Sequence, residues 1–256
     1  MSRARDSALR IVIDARMWNE SGIGRYLQNL IGQLQVLDNQ NEYFILLLKK
    51  DFENDKILHS VQNDKNNFTK VLADFRWYTV AEQIKLPKIL GKIKPDLVHF
   101  PHFNVPIFYK GKFVVTIHDL IHQHLSMQRS STHGSVIFWA KKFSYKKVFE
   151  KAVKKSQKIL VPSNFVKDQL INELKINDQK VAVTPEGVHL PHLQGVLPKG
   201  VQSPFIFYVG NAHPHKNVEN LIRAAEILKM KLAIVGYDKF FQSRLPKSKY
   251  VEVIGE

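Results

Sequence analysis

Short runs of apolar and β-branched residues alternate along the chain with segments in which apolar residues recur every three or four positions. The first run, Leu9–Asp14 (LRIVID), predicts a buried strand, and the apolar residues within Ile23–Leu37 have helical spacing. This alternation predicts an α/β fold with a parallel sheet covered on both faces. Further strands are predicted at Tyr43–Leu48, Lys70–Leu72, Trp77–Val80, Asp96–Phe100, Lys112–His118, Lys158–Val161 and Val181–Thr184, and further helices at Ala81–Ile93, Ser135–Ser156 and Ser163–Leu174.

The pattern is interrupted between Pro191 and Pro204, where three prolines and two glycines occur without periodicity. It then begins again, with strands predicted at Phe205–Val209, Lys231–Val235 and Tyr250–Ile254 and a helix at Asn217–Lys229. We therefore predict a first domain over 1–190, a linker over 191–203 and a partial second domain over 204–256. A sheet of about three strands buries little surface, so we expect the second domain to be incomplete.

Composition narrows the possible functions without choosing one. The 256 residues include 38 Lys and Arg against 23 Asp and Glu, a formal net charge of +15, which favours anionic partners. The chain has no Cys, which excludes thiol catalysis, disulfides and Cys-ligated zinc. A nucleic-acid-binding protein is a weaker alternative that rests on charge alone, because no RNP, KH or zinc-finger spacing is present.

Two glycines stand at the entrance to the first predicted helix, in the loop DARMWNESGIGRY that begins at Asp14. Gly22 and Gly24 let backbone N–H groups approach an anionic oxygen, and the helix dipole favours negative charge there. Arg25 adds a full positive charge. The spacing is neither the dinucleotide fingerprint nor a P-loop, so a tight turn without a ligand is the alternative interpretation.

Histidines cluster where the predicted strand Lys112–His118 ends. Ligands of open parallel sheets bind beyond the carboxyl ends of strands, so we expect His118 to point into a crevice and contact a sugar or phosphate oxygen. His118, His122 and His124 with Asp119 also form a dense set of potential metal ligands. Because these residues span a strand-to-loop break and not a helix face, we predict no metal site and interpret His122 and His124 as exposed polar residues.

A second basic loop, YVGNAHPHKN, follows the predicted strand Phe205–Val209. Lys216 stands near a helix N-terminus and could supply a mobile charge to a diphosphate, with Asn211 and nearby amides as hydrogen-bond donors. Taken alone, Lys216 would be an exposed lysine at the start of a helix.

Six stretches follow one another between Leu9 and Gly255: IVIDARMW with GIGRY, DLVHFPHFNVP, VVTIHDLIH, ILVPSNFVKDQL, VAVTPEGVHL and FYVGNAHPHKNVENLIRAA. In this order they resemble the retaining glycosyltransferases of family 4, which have the GT-B architecture of two facing Rossmann-like domains. The resemblance implies transfer of a hexose, such as mannose or glucose, from a nucleotide sugar to a glycan or lipid-linked acceptor in envelope polysaccharide synthesis. It also implies that no metal or other cofactor is needed.

The resemblance assigns roles to particular positions. His118, in the matching HD motif, would hydrogen-bond the transferred sugar. The donor phosphates would be contacted by Gly22, Gly24, Asn211 and Lys216, and the acceptor side would include Arg25, His102 and Asp119. Many relatives carry an arginine where this chain has Asn211, so one positive charge is missing.

The end of the chain departs from the family pattern. Relatives continue past the equivalent of Val253–Glu256 into a segment with two glutamates that bind the donor sugar and ribose. Glu219 and Glu226 share one predicted helix and do not substitute for that pair. We therefore expect this chain alone to lack most of the donor site, and a non-catalytic binding or partner remnant of such an enzyme is the alternative hypothesis.

Eight lysines but only one acidic residue, Glu150, lie between Lys141 and Lys158, and aromatic residues are interleaved with them. A helix of this kind suits an anionic membrane surface, where each well-placed Lys contributes about 1 kcal/mol. A core-packed helix with a solvated lysine face explains the pattern equally well. We predict a cytoplasmic protein, free or peripheral on the inner face of the cell membrane, with no nucleic-acid partner.

Overall fold

The structure, a computed structural model, describes residues 8–54, 57, 67–121, 135–187, 204–236 and 245–254, with the backbone alone over 135–142. The chain divides into two compact units, Met1–Val188 and His189–Glu256. The predicted linker at 191–203 lies outside the described residues, as do His122 and His124.

The first unit contains a seven-stranded sheet in which every pair of neighbours is parallel. Its strand order is β3-β2-β1-β4-β5-β6-β7, so β1 lies between β2 and β4 and the chain changes direction there. Such a switch point opens a crevice at the carboxyl ends of the strands. The strands are β1 (Arg10–Asp14), β2 (Glu42–Leu47), β3 (Phe68–Leu72), β4 (Leu97–Phe100), β5 (Phe113–Thr116), β6 (Lys158–Val161) and β7 (Val181–Val183).

Helices cover both faces of this sheet, as the alternation predicts. On one face Leu27 and Ile31 pack against Ile13, whereas Val12, the preceding residue of β1, contributes to the core on the other face. Successive strand residues point to opposite sides, so a strand covered on both faces is apolar throughout. The helices are α1 (Ser21–Leu37), α2 (Lys49–Phe52), α3 (Val80–Ile93), α4 (Ser135–Lys155) and α5 (Asn164–Leu174).

One predicted strand is wrong. The segment Trp77–Val80 forms a turn, and α3 begins at its last residue. The Thr79 hydroxyl accepts the Glu82 N–H at 3.2 Å, and the Glu82 carboxylate accepts the Tyr78 N–H at 2.9 Å. These local hydrogen bonds start a helix and outweigh the strand propensity of the aromatic and β-branched residues.

The second unit contains a three-stranded parallel sheet of order β10-β9-β8, formed by β8 (Phe205–Val209), β9 (Lys231–Val235) and β10 (Val251–Ile254). Helix α6 (Val218–Leu228) packs Ile222 against Leu232 and Ile234. Gly210 and Gly236 end the first two strands with φ values of 147° and 152°. A Cβ at Gly236 would overlap the carbonyl group of Gly210, so a glycine is required at this close approach.

The described part of α4 has one buried side and one exposed side. Val148, Phe149 and Ala152 are buried in the first unit, whereas Lys146 and Lys147 are exposed. Phe143 is exposed as well, and the Lys147 ammonium lies 5.4 Å from its ring centroid. The buried side of this helix therefore fits the core-packed interpretation. No described helix combines the length and apolarity needed to cross a lipid bilayer.

A histidine is buried inside the sheet. His99, in β4, is hydrogen-bonded through Nε2 to the Thr116 hydroxyl at 2.8 Å. Burial lowers the pKa of His99 to about 4, with a further contribution from His118 and an opposing one from Asp14. The imidazole is therefore neutral over the physiological pH range.

Gly24 and Gly22 provide a matched pair for testing the entrance to α1. A Cβ at Gly24 would overlap the Trp18 carbonyl, whereas a Cβ at Gly22 meets nothing within 4 Å. We expect Gly24→Ala to lower the free energy of unfolding by about 1–3 kcal/mol because of this overlap. Gly22→Ala should leave it unchanged or raise it by about 0.5 kcal/mol through helix propensity. Urea unfolding measures both, and equal effects would contradict the packing at Gly24.

His99 predicts an acid-dependent loss of stability. In the unfolded chain a histidine binds a proton near pH 6.5, whereas folded His99 does so near pH 4. Because the unfolded state then binds more protons, stability falls between these values, by up to about 3 kcal/mol. Urea unfolding across this range should show a steeper decline in the wild type than in His99→Gln. Equal slopes would show that His99 is not shielded from water.

Candidate functional site

The predicted site residues of the first unit lie at the carboxyl edge of the sheet, on loops or in the first turns of α1. Gly22 and Gly24 follow β1, His102 follows β4, and His118 and Asp119 follow β5. Since β1, β4 and β5 are adjacent, the parallel sheet brings these loops to the switch-point crevice. This placement agrees with the expectation that ligands approach from that edge.

His118 is held by both of its ring nitrogens. Nε2 lies 2.9 Å from the Pro101 carbonyl oxygen, and Nδ1 lies 2.8 Å from Oε1 of Glu186. The ring also meets that of Tyr26 edge to face, with centroids 5.1 Å apart. The His118 side chain keeps 20% of its surface exposed, so it remains accessible to a ligand.

Tyr26 connects the partly buried His118 to the buried His99. Its hydroxyl lies 3.0 Å from the Thr116 hydroxyl, which in turn contacts His99. Burial raises the pKa of the Tyr26 phenol, so the phenol is neutral and can both donate and accept. The GIGRY segment thus supplies a side chain to the site as well as its glycines.

A buried ionic network lies beside the crevice. Arg16 donates to both oxygens of Asp14, at 2.8 and 2.7 Å, and to Oε1 of Glu82 at 2.6 Å. The Asn104 amide donates to both Glu82 oxygens at 2.8 Å. A further Arg16 donor reaches the Phe75 carbonyl at 3.2 Å. The network therefore ties the loops after β1, β3 and β4 to the first turn of α3.

Charge pairing opposes the effect of burial within this network. Burial alone would lower the pKa of Arg16, but Asp14 and Glu82 together raise it above its ordinary value. Burial raises the pKa of Glu82, and Arg16 and Asn104 act against that shift. Sequence reasoning assigned no role to Arg16, Asp14, Glu82 or Asn104. The signal that could have found the first two is a charged pair just after the apolar run Ile11–Ile13.

The other predicted site residues of the first unit differ in their exposure and in their hydrogen bonds. The Gly24 N–H donates to the Glu20 carbonyl at 2.7 Å, so it is used within α1, whereas Gly22 precedes the first intrahelical bond. Arg25 is exposed on α1. The Asp119 carboxylate accepts the Ile121 N–H at 2.9 Å, and Nδ1 of His102 lies 3.2 Å from the Tyr78 hydroxyl.

In the second unit, Asn211 and Lys216 lie on the loop between β8 and α6, and both are exposed. The Asn211 carbonyl accepts from the Tyr208 hydroxyl at 2.7 Å. Lys216 ends a 3-10 turn, Pro214–Lys216, in which its N–H donates to the His213 carbonyl at 2.8 Å. The loop therefore has a defined backbone from which the Lys216 ammonium extends into solvent.

A cavity of about 540 Å³ opens at the same edge of the first unit, between the loops that follow β2 and β3. Three cationic and two acidic side chains line it, together with two apolar residues. The lining residues are Leu48, Lys49, Lys50, Glu53, Asp74, Phe75 and Arg76. Because Phe75 also accepts a hydrogen bond from Arg16, one wall of the cavity is fixed to the ionic network.

The histidines and carboxylates are the potential metal ligands of this chain, which has no Cys. Within the described ranges, which stop at residue 121 and resume at 135, no three such side chains are grouped as a metal site requires. His122 and His124 fall in that gap, so the predicted absence of a metal stays a prediction.

The fold is shared with several solved structures. A glycosyltransferase from Rickettsia africae matches with a TM-score of 0.55 at 15% identity, covering 98% of this chain and 69% of its own. Arabidopsis thaliana UGT89C1, complexed with UDP-L-rhamnose, matches with a TM-score of 0.52 at 11% identity, covering 97% and 69%. A putative UDP-N-acetylglucosamine 2-epimerase from Listeria monocytogenes gives 0.52 at 12%, covering 98% and 70%. These likenesses show the α/β GT-B fold.

Sequence comparison identifies the family. A search of curated protein sequences gave no match. The model of glycosyltransferase family 4 matches residues 21–191, about two thirds of the chain. The matched segment includes the loops that carry Gly22, His118 and Glu186. The chain therefore belongs to glycosyltransferase family 4, a family of retaining, nucleotide-sugar-dependent enzymes.

Proposed function

We propose that this chain binds a nucleotide sugar and acts in the transfer of a hexose, such as mannose or glucose, with retention at the anomeric carbon. The acceptor is a glycan or lipid-linked saccharide of envelope polysaccharide synthesis. The observation that carries the proposal is the position of His118, which is fixed yet accessible at the switch-point crevice of a family 4 chain.

The proposed catalysis is electrostatic. His118 hydrogen-bonds the transferred sugar while the glycosidic bond to the diphosphate breaks, and a sugar hydroxyl then replaces one of the two present partners of the ring, Pro101 or Glu186. Each unit has donors suited to the negative charge that develops on a leaving diphosphate: the ammonium of Lys216 and Asn211 in the second unit, and the amide of Gly22 at the start of α1 in the first. This set of donors supplies positive charge without a metal ion, so we infer that no metal or other cofactor is required.

The acceptor side of the proposal rests on the first unit. Arg25, His102 and Asp119 lie on loops or helix ends near the crevice, and the cavity between the β2 and β3 loops adds Lys49 and Arg76. Neighbouring strands are about 4.8 Å apart, so three strand intervals, roughly 14 Å, separate β2 from β5 and its His118 loop. An acceptor that contacts both must be longer than a monosaccharide.

A non-catalytic binding or partner role is the second candidate. It is favoured by Asn211, which stands where many relatives carry an arginine and leaves Lys216 with less positive charge around the diphosphate. Binding of a nucleotide sugar without any transfer would identify this role.

The proposal is tested first by donor binding. We expect isothermal titration calorimetry with a panel of nucleotide sugars to find a ligand, and Lys216→Ala to weaken its binding about tenfold through loss of one charge-assisted hydrogen bond. The matched control is Lys247→Ala, an exposed lysine of the same unit on another loop.

His118→Ala should lower the transfer rate by more than about tenfold while the thermal unfolding temperature stays unchanged. Unaltered turnover would refute the role of His118.

We further propose that the protein is cytoplasmic and attaches to the inner face of the cell membrane through the exposed side of α4. Phe143 and the neighbouring Lys147 form an apolar and basic pair on that helix. Lys151 is not part of this surface, because its ammonium donates to the Tyr109 carbonyl at 2.7 Å and burial lowers its pKa.

Vesicle sedimentation tests this attachment. The double variant Lys146→Gln/Lys147→Gln should bind phosphatidylserine-containing vesicles about thirtyfold more weakly than the wild type, since each lysine contributes about 1 kcal/mol. Lys247→Gln/Lys249→Gln removes the same charge from the second unit and should have a smaller effect. Equal losses in the two variants would show that net charge alone, and not α4, drives binding.

A further inference from the structure

Residues 101–112, the β4–β5 crossover, contain neither helix nor strand. Strand β5 is parallel to β4, so the crossover must return from the carboxyl edge of the sheet to the opposite edge. On the way, Phe103, Val105 and Tyr109 enter the core on the face of the sheet that α3 and α4 cover. The crossover therefore forms part of that face, between the two helices.

Both helices hold the crossover in place. The Ile107 N–H donates to Oε1 of Gln83, in α3, at 2.7 Å. On the other side, the Lys151 ammonium of α4 donates to the Tyr109 carbonyl at 2.7 Å. Ile107 and Phe108 thus extend from a backbone that is fixed before any partner binds, which lowers the entropic cost of binding.

The outer surface of this arrangement is apolar. Phe108 is 69% exposed and Ile107 is 37% exposed. Val80 and Ile84, one turn apart on α3, are 77% and 50% exposed. Because Gln83 belongs to the same turn and bonds to Ile107, the four apolar side chains are neighbours and form one apolar patch. A cluster of large apolar side chains in water marks an interaction surface.

The chain around the apolar patch is positively charged. Residues 80–94 and 101–112 together include six lysines but one acidic residue, Glu82. Glu82 is buried and accepts from Arg16 and Asn104, so it adds no negative charge to the surface. All six lysines are exposed: Lys85, Lys88, Lys92, Lys94, Lys110 and Lys112.

An apolar centre with cationic surroundings fits an anionic lipid bilayer, which takes up apolar side chains and attracts lysines at the same time. A second copy of this chain fits less well, because a two-fold interface would set the same lysines against each other. The exposed Phe143 and Lys147 belong to α4, which covers the same face of the sheet. The patch therefore extends a surface that already has basic and apolar character.

We propose that the apolar patch inserts into the interfacial region of an anionic bilayer and holds the first unit against it, with α3, the β4–β5 crossover and α4 facing the lipid. This inference rests on the proposed function and deepens its membrane attachment: α4 supplies charge, and the patch supplies apolar contact that salt does not screen. The crossover begins at Pro101, which contacts His118, so attachment brings the rim of the crevice close to a lipid-linked acceptor.

Vesicle sedimentation at two salt concentrations tests the inference. Ile107→Ser/Phe108→Ser should bind phosphatidylserine-containing vesicles about tenfold more weakly than the wild type, because two apolar side chains no longer enter the lipid. At about 1 M salt, where the Debye length is about 3 Å, the wild type should keep measurable binding and the variant should lose it. Wild-type binding by the variant at both salt concentrations would overturn the inference.

The matched control is Val36→Ser/Leu37→Ser. It removes two apolar side chains that are exposed on α1, which covers the other face of the sheet. This control should bind vesicles like the wild type, and both double variants should keep the wild-type thermal unfolding temperature. An equal loss of binding in the two variants would show that exposed apolar residues act regardless of their place, and would overturn the inference.

Fluorescence measures insertion directly. In Phe108→Trp, brominated lipids should quench the introduced indole in addition to the quenching seen in the wild type, whereas Leu37→Trp should show no added quenching. Absence of added quenching in Phe108→Trp would overturn the inference. So would a dimer of the wild type in lipid-free sedimentation that Ile107→Ser/Phe108→Ser abolishes, because the patch would then bind a second copy.

These outcomes are separable from the proposed function. Calorimetric binding of a nucleotide sugar is measured without lipid and does not involve the apolar patch. Loss of vesicle binding with donor binding intact would refute the bilayer surface alone. Conversely, vesicle binding through the patch in a chain that binds no nucleotide sugar would refute the proposed function and leave the surface established.

Discussion

The buried guanidinium of Arg16 is the constraint on which the carboxyl edge of the first sheet depends. Burying one cation with two carboxylates carries a large desolvation cost, which is offset only when every donor and acceptor is satisfied. Asp14 and Glu82 meet that condition with hydrogen bonds of 2.6–2.8 Å, and Asn104 completes the set. Loss of one partner from such a group typically costs about 3–5 kcal/mol, so the arrangement tolerates little movement.

This rigidity is transmitted to the proposed site. Arg16 lies in the loop that leads from β1 to α1, and Asn104 lies in the loop that begins with Pro101, an acceptor of His118. Tyr26 and Pro101, which contact His118, follow on the same two chain segments, so the network anchors the backbone from which they extend. The surrounding apolar core is less directional, because its side chains fix the distance between layers but not the angle of a ring in a crevice.

Local pattern was enough to predict most of the fold. Ser163 caps α5 as its sequence suggests, and the end of β5 places His118 at the crevice. The strand predicted at Trp77–Val80 failed because two side-chain hydrogen bonds start α3 there. The partnerships of Arg16 with Glu82 and of His118 with Glu186 join residues 66 and 68 positions apart. Such contacts arise from strand order, which periodicity does not encode.

The contact between Gly210 and Gly236 has a consequence for the evolution of the second unit. These residues join the ends of β8 and β9, and Gly210 immediately precedes Asn211 in the loop that carries Lys216. A methyl group at position 236 would displace the neighbouring peptide and, with it, the start of this loop. A substitution at position 236, which is 20 positions from Lys216, would therefore change the position of the Lys216 ammonium without altering any charged group.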